Sequence, residues 1–347
     1  MKKGLLFMLS LLIGSYWLTA SAQDIHISVA KIWDNGMYCA FPSIIKYKNA
    51  YYCSFREGEG HVFDKNGKAE GKVRVLKSKD GKKWTSVLLM NKDKYDLRDP
   101  KLSITPDGRM MILMGGSIYV DKKFVDCISQ VSFSSDGIHF SDPQPVQMTK
   151  AAQREKDWLW RMTWDGDTGY VVGYFQPGNG QTNNIHLLKT TDGVHYDQVC
   201  DFNITDFPNE ATIRILPDKR MMIMVRRDSG DKMGYWGVSA PPYKNWNWTK
   251  MGFQLGGPDF LAIDENHIIA GSRSYYISSH AKTSLYSGNI KGDFQEVCTL
   301  PSGGDTSYPG LLVVGNELWV CYYSLHETPR ASIYLAKMPL NMFLNKK

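Results

Sequence analysis

The sequence predicts an all-β protein that folds as a six-bladed β-propeller, and three observations support this prediction. A short motif (a hydroxyl residue, any residue, Asp, Gly, any two residues and an aromatic residue) occurs three times at a constant period. Pairs of short apolar strands joined by turns recur along the chain. No segment shows the periodicity of a long amphipathic helix. One sheet per about 45–55 residues is typical of propeller blades.

The repeated motif occupies Ser78–Trp84, Ser134–Phe140 and Thr190–Tyr196, and its aspartates are 56 residues apart in both intervals. Asp-Gly favours a tight turn, because glycine tolerates a positive φ and the Asp side chain accepts hydrogen bonds from nearby amides. The copies recur identically, whereas a catalytic site needs different residues in different roles. We therefore interpret these aspartates as structural.

The first 22 residues predict a cleavable signal peptide. Lys2 and Lys3 precede an almost unbroken apolar run from Gly4 to Leu18, and small residues at 20–22 place the cut after Ala22. The run is too short for a comfortable membrane span and no stop-transfer pattern follows it. We expect a periplasmic or secreted protein without a transmembrane segment.

Composition and charge limit the partners of the mature chain. With 43% hydrophobic and 22% charged residues, the composition is ordinary for a globular protein. Removing Lys2 and Lys3 lowers the formal charge from +6 to +4. That charge is small and scattered, so we expect no nucleic-acid partner, and we expect a monomer.

The cysteines and the familiar catalytic motifs suggest neither a metal nor a cofactor. No HExxH, Gly-rich phosphate loop or GxSxG motif is present. The cysteines form no CxxC pair and no dense framework, so we expect buried and mostly free thiols, with a disulfide or a metal site as the alternatives. The six are Cys39, Cys53, Cys127, Cys200, Cys298 and Cys321.

Six blades can be counted along the chain. Blades one to three are predicted to end at the three motifs, the fourth near residues 245–248 and the fifth near residues 292–294. The predicted strand pairs of five blades are Pro42 to Lys48 with Ala50 to Arg56, Lys101 to Thr105 with Met110 to Met114, Thr212 to Leu216 with Met221 to Arg226, Phe260 to Asp264 with Ile268 to Ser272, and Gly310 to Val314 with Leu318 to Tyr323.

The sixth blade, from Ser307 to Met338, lacks an outermost strand of its own. The apolar-rich segment Ile25 to Trp33 is predicted to supply it, which closes the ring and removes an exposed sheet edge. Residues 23–347 are therefore predicted to form a single propeller domain.

Propeller geometry gathers polar residues on one face, because the innermost strand of each blade starts where the second strand ends. Charged groups near an axis must pair or contact a ligand. Five blades place an Arg there, which favours an acidic ligand; the alternative is that the charges only pair and line a wet channel. The residues at these places are Arg56, Glu57, Glu59, His61, Arg98, Asp99, Trp160, Arg161, Asn209, Glu210, Arg226, Arg227, Asp259, Arg273, Asp305, Tyr308, Tyr323 and His326.

At these residues the chain resembles the sialidase (neuraminidase) superfamily. The three Asp-Gly turns look like the Asp-box (BNR) repeats of that superfamily, and the resemblance covers nearly the whole mature chain. Asp-boxes indicate the fold strongly and the reaction weakly, because propellers without enzymatic activity carry them too.

The resemblance extends to the site. Glu210 and Arg226 match the segment with the superfamily's conserved Glu and one Arg of its carboxylate-binding triad, and Arg273 is similar to a later triad Arg. The segment ending at Tyr308 resembles the one that supplies the nucleophilic Tyr. The resemblance implies that Glu210 is the general base for Tyr308, since a phenol attacks poorly until its proton is taken.

Two departures from the superfamily pattern affect the substrate and the acid. Where the superfamily has Arg-Ile-Pro, this chain has Ala-Phe-Pro at 40–42, so Arg56, Arg98 or Arg161 would replace the missing Arg. The superfamily's acid/base Asp has no clear match in the loop after the second strand. There His61 is our first choice, because His donates protons near neutral pH, and Asp64 is the alternative.

The leading functional hypothesis is an exo-acting glycoside hydrolase that removes a terminal acidic sugar, whether sialic, ulosonic or uronic acid. Tyr308, Glu210 and His61 would be catalytic. One alternative is a glycan-binding propeller without catalysis, with Trp160, Tyr308 and Tyr323 stacking on sugars. Another is an atypical His61-dependent glycosidase or lyase acting on an acidic polysaccharide. The predicted substrate-binding residues are Arg56, Glu57, Arg98, Asp99, Arg161, Arg226, Arg273 and Asp259.

Overall fold

The computed structural model describes residues 26–176, 183–275 and 281–344, so the predicted signal peptide lies outside the described residues. Among the described residues, the single short helix is far from the length and apolarity that crossing a membrane requires. The strands and the helix are, in order, β1 (Ser28–Trp33), β2 (Tyr38–Tyr47), β3 (Ala50–Gly58), β4 (Lys72–Ser78), β5 (Thr85–Met90), β6 (Asp96–Ile104), β7 (Met110–Val120), β8 (Lys123–Cys127), β9 (Gln130–Ser134), β10 (Gln144–Pro145), β11 (Gln147–Met148), β12 (Trp158–Leu159), β13 (Thr163–Asp165), β14 (Thr168–Phe175), β15 (Asn184–Thr190), β16 (His195–Asp201), β17 (Pro208–Ile215), β18 (Met221–Arg227), β19 (Met233–Ser239), β20 (Asn247–Gln254), β21 (Asp259–Ala262), β22 (Ile268–Ser274), β23 (Lys282–Gly288), β24 (Gln295–Leu300), β25 (Thr306–Val314), β26 (Glu317–Ser324), β27 (Ser332–Pro339) and α1 (Asn341–Leu344).

These strands form six sheets, which are the six blades. Blade one is β2-β3-β4-β5, blade four is β17-β18-β19-β20 and blade five is β21-β22-β23-β24. Blade two is β6-β7-β9-β10, with β8 paired to β7 as a side hairpin. In blade three, β12 and β13 share the innermost place beside β14, followed by β15, β16 and β11. Blade six is β25-β26-β27-β1, and the predicted six-bladed β-propeller is confirmed.

The core consists of six apolar clusters, and each cluster lies between two neighbouring blades. The cluster between blades one and six contains Phe55 and Leu76 from one side and Trp319 and Ile333 from the other. Burying one such aliphatic or aromatic side chain stabilises the fold by about 1.5–3 kcal/mol. Apolar packing between blades therefore closes the ring.

The N-terminal strand also closes the ring, as predicted from the sequence. β1 runs antiparallel to β27, with Ser28 opposite Lys337 and Ala30 opposite Leu335. Of the segment predicted for this strand, Ile25 lies outside the described residues. The pairing covers the outer edge of β27, which would otherwise present unpaired backbone groups.

The three Asp-Gly motifs are structural turns. Asp136 Oδ1 accepts hydrogen bonds from the amides of Ile138 and His139, both at 2.8 Å, and Ser134 Oγ accepts one from Gly137 at 2.8 Å. The other two copies make the same bonds. Each motif joins the third strand of its blade to the fourth. The predicted blade boundaries were therefore one strand too early, and blade one ends at Met90.

Gly81 lies in the first of these turns, where a side chain would meet the neighbouring blade. It has a φ of +66°, and a Cβ atom there would overlap the Trp319 ring of blade six, whereas Gly108 has a φ of +81° and open space around it. We expect Gly108→Ala to cost about 1 kcal/mol of unfolding free energy through backbone strain. Gly81→Ala should cost a further 1–3 kcal/mol or so through overpacking. If urea unfolding shows that Gly81→Ala and Gly108→Ala lose the same unfolding free energy, a tight contact between the blades is contradicted.

Candidate active site

Four innermost strands begin with a β-bulge on the face opposite the Asp-Gly turns. The bulges interrupt the pairing of β2, β6, β17 and β25 with the second strands of their blades. Phe41, Asp99 and Tyr308 lie in three of these bulges, each before a proline, with φ values of 64°, 47° and 49°. Bulges and rare backbone conformations of this kind re-aim side chains and concentrate at functional sites.

Tyr308 and Glu210 form the centre of the site. The Tyr308 hydroxyl donates to Glu210 Oε1 at 2.6 Å, and both residues are buried. Arg226 Nη1 donates to Glu210 Oε2 at 2.7 Å and to the Tyr308 hydroxyl at 2.9 Å. The Gly257 amide donates to Glu210 Oε2 at 2.9 Å. The structure thus brings together the Tyr, the Glu and one Arg that the resemblance singled out.

The environments of Glu210 and Tyr308 favour opposite protonation states. Burial opposes ionisation of Glu210, but the charge of Arg226 and the hydrogen bonds from Tyr308 and Arg226 outweigh it and lower the pKa of the carboxyl. Burial, followed by the Glu210 charge, raises the pKa of Tyr308 well above its usual value. An ionised carboxylate therefore accepts a hydrogen bond from a neutral phenol, which is the arrangement of a base beside a nucleophile.

His61 lies at the same face and pairs with Asp305. His61 Nδ1 is 2.5 Å from Asp305 Oδ2, and the His61 side chain is about half exposed at 48%. Arg273 Nη2 and the Tyr323 hydroxyl donate to Asp305 Oδ1 at 2.9 and 2.6 Å, and the Tyr38 hydroxyl donates to Oδ2. Burial opposes ionisation of Asp305, but the His61 hydrogen bond and the Arg273 charge hold its pKa below the usual range.

The Phe41 ring lies between the Tyr308–Glu210 pair and the His61–Asp305 pair. Its ring centroid is 5.0 Å from that of Tyr308, 5.2 Å from that of His61 and 5.3 Å from that of Tyr323. All three contacts are edge-to-face, which is a favourable aromatic geometry. Phe41 fixes the distance between the Tyr308–Glu210 pair and the His61–Asp305 pair.

Asp99 and Lys101 are buried charged residues of β6 beside this centre. No described residue forms a hydrogen bond or ion pair with the Asp99 carboxyl, and burial raises its pKa, although Lys101 and Arg98 oppose the rise. Lys101 Nζ donates to the Phe41 carbonyl at 3.2 Å and lies 4.8 Å from the Trp160 ring centroid. Burial, followed by the Arg161 charge, lowers the pKa of Lys101 to about 8.

Several buried polar atoms of this region have no hydrogen-bond partner among the described residues. Leaving such an atom unpaired costs roughly 1–3 kcal/mol, so sites of this kind are usually completed by water or a ligand. Both donors and acceptors are present, as a polyhydroxylated ligand requires. These atoms are Asp99 Oδ1, Trp160 Nε1, Arg161 Nε, Asn209 Oδ1 and Arg226 Nε.

The arginines predicted to bind a substrate carboxylate already have carboxylate partners. Arg226 Nη2 lies 2.8 Å from Asp228 Oδ1, in addition to its contact with Glu210. Arg273 pairs with Asp305, as described above. Arg98 Nη1 lies 3.1 Å from Asp96 Oδ2 and donates to the His61 carbonyl at 2.9 Å. A substrate carboxylate would have to share these guanidinium groups.

Arg56 and Glu57 are largely buried and are held by other protein groups. The Arg56 side chain is 1% exposed; it pairs with Asp96 at 2.8 Å and donates to the carbonyls of Gly60 and Val62. Glu57 accepts two hydrogen bonds from Arg74, at 2.5 and 2.7 Å. Arg56 therefore shapes the loop that carries His61, and Glu57 is held by Arg74. Substrate binding by these two residues stays a prediction.

Asp259 and Arg161 pair with each other inside the ring. Asp259 Oδ2 is 3.4 Å from Arg161 Nη1, and its Oδ1 accepts from Arg214 at 2.7 Å. The Leu311 amide also donates to Asp259, at 3.2 Å. Asp259 is 1% exposed in its side chain, and protein groups contact both of its carboxylate oxygens, so its predicted contact with a substrate stays a prediction. The Nε of Arg161 is buried and has no hydrogen-bond partner among the described residues.

Two of the aromatic residues proposed to stack on sugars are covered by protein. Trp160 is 1% exposed and Tyr323 is 0% exposed. The Lys101 ammonium covers the Trp160 ring, and Phe41 and Tyr308 pack against Tyr323. Neither ring offers an open face to a sugar, because both belong to the support beneath the site.

Sequence reasoning missed the partners that complete the site. Asp305 was placed on this face but given no role, and Tyr323 was considered only as a ring that stacks on a sugar. Tyr38, Lys101 and Asp228 were not considered. The available signal for Lys101 was its position at the start of a predicted strand, two residues after Asp99. The Asp228 partner of Arg226 follows it by only two residues, but nothing local shows which way its side chain turns.

Comparisons with known proteins bear on the fold. Neither a protein-family model nor a curated protein matches the sequence. Among solved structures, a protein of unknown function from Dyadobacter fermentans matches with a TM-score of 0.77 and 20% identity, over 90% of this chain and 99% of that one.

Two enzymes have similar structures. Trypanosoma rangeli sialidase, in complex with the inhibitor DANA, gives a TM-score of 0.69 and 10% identity over 90% of this chain; the match spans 59% of the sialidase. Penicillium chrysogenum α-L-arabinanase, complexed with arabinobiose, gives 0.68 and 16% over 90% of this chain and 98% of that one. The chain therefore has the six-bladed β-propeller fold found in sialidases and in an arabinanase.

Proposed function

We propose that this protein is a glycoside hydrolase that removes a terminal sugar residue. The observation that carries the proposal is the 2.6 Å hydrogen bond from the Tyr308 hydroxyl to Glu210, a carboxylate held by Arg226 and a backbone amide. A neutral phenol beside an ionised carboxylate is an activated nucleophile. The same fold in a sialidase and an arabinanase supports the same reaction class.

In the first step, Glu210 Oε1 takes the proton of Tyr308 as the phenolic oxygen forms a bond to the anomeric carbon. The bond from that carbon to the leaving oxygen breaks, and the leaving oxygen takes a proton from His61 Nε2. Asp305 holds the opposite ring nitrogen, Nδ1, at 2.5 Å and stabilises the charged imidazolium before transfer.

In the second step, a water molecule replaces the leaving group. His61 takes a proton from this water as its oxygen bonds to the anomeric carbon. The bond to Tyr308 breaks, and Glu210 returns the proton to the phenolate. The sugar leaves with its anomeric configuration retained, because two displacements occur at the same carbon.

Two classes of terminal sugar are proposed as the substrate, one acidic and one neutral. A terminal acidic sugar remains the first, with its carboxylate shared between Arg226 and Arg273. The second is a terminal neutral sugar, and the carboxylate partners of both arginines favour it, because they leave no uncompensated guanidinium beside Tyr308. In either version, Asp99 and Asn209 would accept hydrogen bonds from sugar hydroxyls.

Sugar release by purified residues 23–347 tests the proposal. The panel contains sialyllactose, uronic-acid oligosaccharides, ulosonic-acid glycosides and arabino-oligosaccharides, with Glu210→Gln as the matched control. Release that depends on Glu210 supports a hydrolase and identifies the sugar. Measurable glycan affinity without any product would instead favour the binding propeller.

Replacing His61 distinguishes the proposed mechanism from the His61-dependent alternative. We expect His61→Ala to lower turnover by about 10²–10⁴-fold on substrates with a poor leaving group, and far less on aryl glycosides whose leaving group needs no protonation. An equal loss on both substrate types, together with full activity of Tyr308→Phe, would favour a reaction in which His61 is the central group.

A further inference from the structure

Cys53 and Cys321 lie against each other where the first and last blades meet. Their Sγ atoms are 3.0 Å apart, both side chains are fully buried, and 268 residues separate them in sequence. Cys53 is in the second strand of blade one, and Cys321 is in the second strand of blade six. Among the described residues the six thiols are free, and Cys39 belongs to the same apolar cluster but faces Asn35 and Met37 instead of a thiol.

We propose that Cys53 and Cys321 form a disulfide that cross-links blade one to blade six. Two thiols in contact need only small side-chain adjustments to reach bonding distance, because the blades already hold them against each other. The predicted signal peptide would deliver the chain to a compartment in which disulfides persist. The inference rests on the position of the two thiols and is independent of the proposed hydrolase function.

The reaction is a thiol–disulfide exchange with a disulfide oxidant such as oxidised glutathione. One cysteine thiolate attacks the oxidant, forms a mixed disulfide and releases one thiol. The second cysteine then attacks the mixed disulfide and releases the second thiol, so two cysteines are oxidised and one oxidant disulfide is reduced to two thiols. Because burial and contact with Cys321 disfavour the Cys53 thiolate in the folded protein, the exchange belongs to folding, before the two blades pack.

The proposed cross-link lies close in sequence to residues that hold the His61–Asp305 pair. Cys53 is three residues before Arg56, which shapes the His61 loop, and Cys321 is two residues before Tyr323, which donates to Asp305. The His61–Asp305 contact joins the same two blades. A disulfide at this position would fix the spacing on which that contact depends.

The test is to refold residues 23–347 with oxidised and reduced glutathione, then alkylate the denatured protein and measure its mass. We expect four of the six cysteines to be alkylated, and a linked peptide pair containing Cys53 and Cys321 after digestion without reductant. Reduction should lower the melting temperature by about 5–10 °C, since the bond closes a very long loop in the unfolded chain.

Matched variants separate the cross-link from simple core packing. Cys39→Ala removes a thiol from the same cluster and should keep the difference in melting temperature between oxidised and reduced samples, whereas Cys53→Ala should lose that difference. Alkylation of all six cysteines after oxidative refolding, or a linked peptide pair of any other composition, would overturn the proposal.

Discussion

Tyr308→Phe is expected to reduce sugar release by roughly 10³-fold or more, because it removes the only atom that can form the proposed bond to the anomeric carbon. The variant should fold, since the ring keeps its edge-to-face contacts with Phe41 and Trp160. The measurement is the initial rate on whichever sugar of the panel the wild-type protein releases. Circular dichroism and the melting temperature confirm folding.

Glu210→Gln should lose activity to a similar extent, because the amide keeps the shape of the side chain but takes no proton from Tyr308. The control is Tyr47→Phe. Tyr47 is a buried tyrosine whose hydroxyl donates to the carbonyls of Gly108 and Ser135, at 3.0 and 2.9 Å, on the Asp-Gly side of the ring. The Tyr47→Phe variant should lose some stability and keep full activity. Full activity of both Tyr308→Phe and Glu210→Gln would disprove the mechanism.

Asp96→Asn is expected to cause the largest loss of stability, about 3–5 kcal/mol of unfolding free energy. Asp96 is fully buried and lies 2.8 Å from Arg56 Nη2 and 3.1 Å from Arg98 Nη1. Removing its charge takes from two buried guanidinium groups the carboxylate that contacts them directly, and breaking a buried ion pair from one side costs that much. Urea unfolding monitored by tryptophan fluorescence measures the change.

Asp107→Asn is the matched control on the same blade. Asp107 also pairs with an arginine, Arg109 at 2.7 Å, but its side chain is 58% exposed, so solvent screens the pair and the variant should unfold almost as the wild type does. A comparable loss of unfolding free energy in both variants would show that Asp96, Arg56 and Arg98 are not shielded from solvent as their geometry implies. The Asp96 variant should also weaken the His61 loop, because Arg56 and Arg98 hold its carbonyls.

Local patterns determined the fold. The Asp-Gly motifs encode their own turns, because the bonds from Asp136 reach only residues two and three positions ahead. The constant spacing of such turns indicates a repeated blade, and the missing outer strand of blade six left the N-terminal segment as its predicted partner. The blade boundaries were misplaced by one strand, because the motif marks a turn inside the blade and not its end.

The sequence by itself therefore determined the propeller, its closure and, through the resemblance, the candidate pair Tyr308 and Glu210. Only the tertiary structure decided how the charges are paired and which residues meet between blades. His61 and Asp305 are 244 positions apart, and Cys53 and Cys321 are 268 apart. The physical reason is that each blade fixes its own turns through short-range hydrogen bonds, whereas contacts between blades depend on the bulges, the strand register and the packing of all six blades together.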